Sequence, residues 1–303
     1  MKSKILGTIT LLRPSQWLKN SFLFAPLIFS KHLFQVEYLW REILAFIGFC
    51  IISSVVYIVN DIADREADRL HPIKKNRPIA SRMISVPWAI GTTILLLAVL
   101  IALVPRLNGP YWYAVIFYGV MNFAYSFWLK QIVLVDVFII AAGFMVRVLA
   151  GVFAIEVVIS SWLVLCSLFV SMFLAISKRR GELMLNAATD SFEARPVLKE
   201  YDIAFIDQLM TIAASGMAIS YALYTVAERT VTIFATENLI FTTVFVLFGI
   251  FRYIFLIRSR RSDDNPMHLL LSDIPLLINI FLWFIACVIV IYSHELIKLM
   301  TTV

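Results

Sequence analysis

Apolar runs long enough to cross a bilayer follow one another along almost all of this 303-residue chain. A hydrocarbon core of about 30 Å needs about 20 predominantly apolar residues per helical crossing. Runs bounded by charge, Pro or Asn predict about nine such helices, at 16–36, 41–60, 85–105, 110–129, 132–153, 157–178, 204–228, 236–257 and 273–297. No run alternates with the period of two that a membrane β-barrel requires. The expected fold is therefore all-α and integral to the membrane, a single domain over 1–303 whose helices surround a central cavity. The chain is 61% hydrophobic and 15% charged, which excludes an ordinary soluble domain. Its net charge of +6 fits loops facing anionic headgroups and phosphorylated substrates better than nucleic acid. Cys50, Cys166 and Cys287 lie far apart inside apolar runs and read as packing residues. Met1-Lys2-Ser3-Lys4 is basic, but no apolar stretch ending in a small-residue cleavage site follows, so the first span is expected to stay.

Lys and Arg are divided unequally between the loops. Those after even-numbered spans hold Arg65, Arg69, Lys74, Lys75, Arg77 and Arg82, then Lys130, then Lys178, Arg179, Arg180, Arg195 and Lys199, then Arg258, Arg260 and Arg261. The opposite loops hold Lys31, Arg41, Arg106 and Arg229. The positive-inside rule puts the even loops and the N-terminus in the cytoplasm, in a multi-pass cell-membrane protein whose C-terminus lies outside. Two charged cytoplasmic loops result, at about 60–84 and 178–203. They are four spans apart, which hints at a duplicated four-helix unit with equivalent loops closing over the cavity.

The first of these loops carries the densest chemistry. Asn60, Asp61, Asp64 and Asp68 precede His71, Pro72, Lys74, Arg77 and Pro78. On a helix, Asn60, Asp64 and Asp68 line one face, with Asp61 adjacent. Bare carboxylates this close repel one another, and a hard divalent cation removes the repulsion. Magnesium takes a few carboxylates plus substrate phosphates, and Lys74 and Arg77 suit the same anionic ligand. The segment reads as a Mg²⁺–diphosphate site at the membrane surface, with Mn²⁺ a possible substitute. The bland reading is a solvated loop laced with salt bridges; the four-residue spacing favours metal. His71 precedes a proline and fits a turn as well as a ligand contact.

Three ionisable residues fall in or beside the fifth span: Lys130, Asp136 and Arg147. Such residues face a cavity or a partner. Asp136 and Arg147 are about three turns apart and share a face with Gly143 and Gly151, which permit close helix approach. Mutual neutralisation of neighbouring helices is the alternative to a substrate role. In the second charged loop, Lys178, Arg179 and Arg180 serve either orientation or anion binding, and Glu182 is placed to pair with Lys178. Asp263, Asp264, Asp273, His32, His268 and His294 form no readable constellation, and Trp88, Trp112 and Tyr113 read as interfacial belts.

The run Asn60-Asp61-x-x-Asp64-x-x-x-Asp68 resembles the first aspartate-rich motif of the UbiA superfamily of intramembrane prenyltransferases. His71-Pro72-x-Lys74-x-x-Arg77-Pro78 is similar to one branch, the phosphoribosyltransferases that join 5-phosphoribosyl-1-diphosphate (PRPP) to decaprenyl-type polyprenyl phosphates. So are Leu12-Arg13-Pro14-x-Gln16-Trp17-x-Lys19-Asn20, Tyr125-Ser126-x-x-Leu129-Lys130, Asp136, Gly143-Phe144-x-x-Arg147 and Ser177-Lys178-Arg179-Arg180. Quinone and haem prenyltransferases usually carry a second Asp-x-x-x-Asp after span six; here that place holds Lys178-Arg179-Arg180-x-Glu182. The resemblance implies PRPP as donor, a polyprenyl phosphate as acceptor and a product for envelope polysaccharide precursors. It implies metal binding by some of Asn60, Asp61, Asp64 and Asp68, of which Asp61, Asp64 and Asp68 are also the catalytic candidates. It implies substrate contacts from Lys19, Asn20, Lys74, Arg77, Tyr125, Lys130, Asp136, Arg147, Lys178, Arg179 and Glu182. The alternatives are prenyl transfer from a prenyl diphosphate to an aromatic acceptor, and an ion or lipid transporter. An oligomer is compatible with either enzyme.

Overall fold

The computed structural model describes residues 2–70, 74–158, 160–189, 200–259 and 266–301. All regular structure among them is helical. The elements are α1 (Lys2–Leu12), α2 (Pro14–Trp17), a 3₁₀ turn (Leu18–Phe24), α3 (Ala25–Phe29), α4 (Val36–Ala63), α5 (Arg65–Leu70), α6 (Val86–Leu103), α7 (Gly109–Phe127), α8 (Val135–Ile155), α9 (Ser161–Thr189), α10 (Ile203–Val226), α11 (Glu228–Phe234), α12 (Thr243–Ser259), α13 (Pro266–Ser272) and α14 (Ile274–Thr301). Seven helices among the described residues are long and apolar enough to span: α4, α6, α8, α9, α10, the segment Asn238–Ser259 that includes α12, and α14. They match seven of the nine expected spans. The expected span 110–129 is the single helix α7, diluted by Tyr111, Tyr113, Tyr118, Asn122 and Tyr125. The expected span 16–36 is not one helix. A 3₁₀ turn and Pro26 divide it into short pieces, because proline supplies no N–H to an α-helical ladder.

Two compact units divide the chain. The first holds Met1–Leu27, His32–Lys130 and Val146–Val157; the second holds Ile28–Lys31, Gln131–Met145 and Val158–Val303. The change at Lys130 follows the fourth expected span, but α8 contributes to both units. In the first unit, Tyr111 is buried and donates its hydroxyl to the Ala45 carbonyl across from Gly48 (2.9 Å). Gly151 provides the close approach expected of it: a Cβ there would overlap the Leu23 carbonyl and the Glu42 carboxyl. In the second unit, the Tyr221 hydroxyl joins Thr242 (2.6 Å) and accepts from the Trp283 indole (3.0 Å), so the polar atoms of these buried rings are answered within the helices.

Candidate active site

In the first unit, α4 does not carry its helix through the acidic run. It ends at Ala63, with Asp64 at its C-cap (φ −88°, ψ 5°), and α5 restarts at Arg65. The Asp64 N–H still donates to the Asn60 carbonyl (2.9 Å), and the Asp68 N–H to the Asp64 carbonyl (2.8 Å). The helix expected to run unbroken through Asn60, Asp64 and Asp68 is thus interrupted at Asp64. Asp61 and Asp68 come together instead. Arg77 Nη1 lies 3.2 Å from Asp61 Oδ1 and 2.7 Å from Asp68 Oδ2. Arg13 Nη2 reaches the same Asp61 oxygen at 2.5 Å. Asp64 is half-exposed and has Lys130 Nζ at 3.8 Å.

Local structure explains how Arg77 arrives. After α5 the chain makes a short 3₁₀ turn at Lys74–Asn76, and the Arg77 N–H closes it on the Lys74 carbonyl (2.9 Å). Ile79 and Ile84 then bury against Leu11, Ile58 and Ala89, fixing the strap to α1, α4 and α6. Lys74 is half-buried and Lys75 exposed. His71 and Pro72 lie outside the described residues. Arg13 is held by a left-handed backbone (φ 53°, ψ 60°) between α1 and α2, a conformation costly for a non-glycine residue. Its guanidinium lies over the Tyr57 ring at 5.0 Å. Glu66 is exposed, and Arg65 and then Arg69 hold its carboxyl below the ordinary range, so part of the acidic run is a solvated ion-pair face.

The donor set fits a divalent ion in part. Asp61 Oδ2, a hard anionic oxygen, is buried and forms no hydrogen bond among the described residues. Among the described residues, however, no three His, Cys, Asp or Glu side chains gather closely enough to hold an ion. Of the four expected metal ligands Asn60, Asp61, Asp64 and Asp68, the structure brings Asp61 and Asp68 together at Arg77. Asn60, substrate oxygens and water would complete a shell around an ion there, as magnesium's usual coordination allows.

A second polar group lies within the first unit. Arg147 is buried; its Nε donates to Asn20 Oδ1 (2.7 Å) and its Nη2 to the Tyr118 hydroxyl (2.8 Å). Asn20 is fully buried and donates to Cys50 Sγ (3.3 Å), and Trp17 donates to Ser54 Oγ (3.0 Å). Cys50, Ser53, Ser54, Tyr57 and Asp61 recur on α4 at helical spacing, so one polar stripe runs along this helix to the carboxylates. Lys19, Tyr125 and Lys130 are half-buried. Sequence reasoning missed Arg13, Tyr57 and Tyr118 as site residues. The stripe's three- and four-residue spacing inside an apolar run was the available signal.

The second unit holds its own charged cluster. Asp136 is fully buried, with Arg179 Nε at 2.7 Å from Oδ2 and the Tyr201 hydroxyl donating to Oδ1 at 2.7 Å. Arg179 is also fully buried and pairs with Glu182, whose other oxygen has Lys178 Nζ at 3.9 Å. Arg180 binds Asp207 (2.7 Å) and the Ile257 carbonyl (3.1 Å). The basic triplet therefore divides: Lys178 is half-exposed, Arg179 sealed, Arg180 tied to neighbouring helices. Burial, then the bond to Asp136, pushes the Tyr201 phenol up to about 12. The Asp136 carboxylate is thus taken up by Arg179 and Tyr201, while Arg147, on the same helix, bonds to Asn20 and Tyr118.

Residues 33–285 match the model of the UbiA prenyltransferase family. The chain belongs to that family. Its UbiA fold is also that of solved structures. A UbiA homolog from Archaeoglobus fulgidus, bound to GPP and Mg²⁺, superimposes with a TM-score of 0.68 at 18% identity, covering 94% of this chain and 99% of that one. The apo UbiA homolog from Aeropyrum pernix K1 gives 0.60 at 13% identity, over 93% and 97%. Within the family the chain falls in a branch like the decaprenyl-phosphate phosphoribosyltransferases. It is 35% identical to that enzyme of Corynebacterium glutamicum over 222 residues, 72% of this chain and 67% of the relative. It is 31% identical to that of Mycolicibacterium smegmatis over 228 residues, 74% and 71%. The protein is a membrane-spanning transferase of the phosphoribosyl and prenyl class.

Proposed function

We propose that this UbiA protein transfers the 5-phosphoribosyl group of PRPP to a polyprenyl phosphate of decaprenyl type, releasing diphosphate, with the active-site loops on the cytoplasmic side. The observation carrying the reading is the Asp61–Asp68 pair bridged by Arg77 and reached by Arg13, in a chain whose relatives bear that enzyme's name. Asp61 and Asp68, with Asn60 and Asp64, would hold Mg²⁺, which supplies electrophilic stabilisation of a departing diphosphate. Arg77 and Arg13 are about three-quarters buried and present guanidinium forks suited to phosphate oxygens. They neutralise charge as the C1–O bond breaks and the diphosphate leaves with its electron pair. An oxygen of the acceptor phosphate supplies the pair for the new C1–O bond. It is already anionic, so no protein nucleophile is required. Lys19, Lys130 and Arg147 orient either the acceptor phosphate or the donor's 5-phosphate, and Asn20 and Tyr118 hold the Arg147 fork. Lys74, Tyr125 and half-exposed Lys178 are further phosphate or ribose contacts. Asp136, Arg179 and Glu182 act by holding one another. The product would feed envelope polysaccharide precursors.

Purified protein given PRPP, Mg²⁺ and mixed polyprenyl phosphates should yield polyprenyl-phosphoryl-5-phosphoribose by mass spectrometry, with stoichiometric diphosphate. Turnover of a prenyl diphosphate onto an aromatic acceptor, with PRPP left intact, would replace this reading with prenyl transfer.

A further inference from the structure

The chain's first helix has an apolar face that nothing within its unit covers. Helix α1 has 11 residues, about 16 Å, too short to cross a membrane. One side is packed: Leu11 is fully buried with Ile58, Ile79, Ile84 and Ala89, and a Cβ at Gly7 would press on Ile84 and Met83 at 3.0 Å. The opposite arc, about 100° wide, holds Ile5, Ile9 and Leu6, which are 57%, 50% and 63% exposed. Beside it, Lys4 Nζ lies 5.9 Å above the Trp88 ring, and the Trp88 indole donates to Thr8 Oγ1 (3.0 Å). Trp88 opens α6, whose Ile90, Ile94, Leu95 and Ile101 are exposed along a span.

We infer that α1 is an interfacial helix that lies in the anionic headgroup layer of one leaflet. Ile5, Leu6 and Ile9 enter the acyl boundary, and Lys4 takes a lipid phosphate at the level of the Trp88 indole. A short helix with an apolar arc and a basic flank beside an exposed indole has the composition of interfacial anchors. The placement has a consequence for the site. Arg13 follows α1 directly, and its left-handed backbone and its bond to Asp61 are set by where α1 rests. Headgroup contact at Lys4 thereby steadies Arg13, so turnover depends on anionic lipid.

The test uses the full chain in nanodiscs of phosphatidylcholine, alone or mixed with phosphatidylglycerol. Spin labels are placed at Ile5→Cys, Leu6→Cys and Ile9→Cys, with Asn76→Cys as an exposed reference. The three α1 labels should be relaxed more by oxygen than by an aqueous nickel complex, and Asn76 the reverse. Greater relaxation by nickel at all three, or shielding from both reagents as under a protein partner, would overturn the inference. Lys4→Glu should lose on the order of fivefold in turnover in the mixed discs and little in pure phosphatidylcholine. Equal turnover of Lys4→Glu and native protein in the mixed discs would remove the headgroup contact. The label depths do not depend on which donor is used, so they stand or fall separately from the proposed reaction.

Discussion

The two units each carry a set of carboxylates and guanidiniums, and they differ in access to solvent. In the first unit, Arg13 and Arg77 remain 25% and 28% exposed while holding Asp61 and Asp68. In the second, Arg179 and Asp136 are both 0% exposed. Arg77 spans two carboxylates that lie on different helices, α4 and α5, and one Asp61 oxygen forms no hydrogen bond among the described residues. Arg179 is clamped between Asp136 and Glu182, and Tyr201 completes Asp136. Exposure separates the two sets where charge does not. On the proposed function, the first arrangement exchanges partners with a ligand and the second acts as a brace.

The sharpest way to break this contrast is to neutralise each set in turn. Asp61→Asn and Asp68→Asn should each reduce turnover by on the order of 10³-fold, mainly in kcat, while the protein still inserts and purifies. Chelation by EDTA should stop native turnover and Mg²⁺ restore it. Near-native rates in both variants would remove the carboxylates from the chemistry. In the second unit, Arg179→Met should act on stability first, by about 3–5 kcal/mol, because it leaves Asp136 buried without its cation. Adding Asp136→Leu should restore much of the lost thermal midpoint, since no lone charge remains. If the double variant folds well but is as inactive as Asp68→Asn, the sealed cluster has a catalytic role and the contrast fails.

Much of the fold was legible because bilayer thickness imposes a length on each helix, and α4, α6, α8, α9, α10, α12 and α14 lie where the apolar runs placed them. The run 16–36 misled because apolar composition does not register a broken ladder: the 3₁₀ turn and Pro26 sit inside it. The acidic segment was legible as a site but not in its geometry. A four-residue repeat presumes an unbroken helix, and the break at Asp64 replaced the expected face with the pair Asp61 and Asp68. Arg13 was visible in its motif, but its pairing with Asp61 was not, because that partner lies 48 residues away and is fixed by tertiary packing. Sequence reports the charge of Arg179 and is silent on its burial and on its pairing with Asp136 and Glu182.

Smaller changes sharpen the comparison. Arg77→Ala should weaken apparent PRPP affinity by roughly 10–100-fold, as the loss of a charge-assisted contact predicts, and affect the polyprenyl phosphate less. Arg77→Lys should recover only part, since an ammonium cannot span two carboxylates or two phosphate oxygens as a fork does. Unchanged PRPP affinity in Arg77→Ala would make that arginine a brace like Arg179.

The smallest effect is expected at Tyr201. Its hydroxyl donates to Asp136 and accepts the Leu134 N–H (2.7 Å), at a residue with a left-handed backbone (φ 66°) just before α8. Tyr201→Phe removes both bonds and leaves the ring, so it should cost about 1.5–3 kcal/mol, the range for a hydrogen bond to a charged group. The pH dependence tests the donor assignment. Burial and the bond to Asp136 raise the phenol in the folded protein to about 12, above the ordinary tyrosine value of about 10. The neutral phenol is thus favoured by folding, and its contribution is fully present below pH about 10 and lost as pH rises through about 12. The difference in thermal midpoint between native protein and Tyr201→Phe should therefore stay constant from mildly acidic to mildly alkaline pH. A difference that vanishes near neutrality would mean that the phenol does not hold Asp136 in the donor role, and that the brace of the second unit is Arg179 alone.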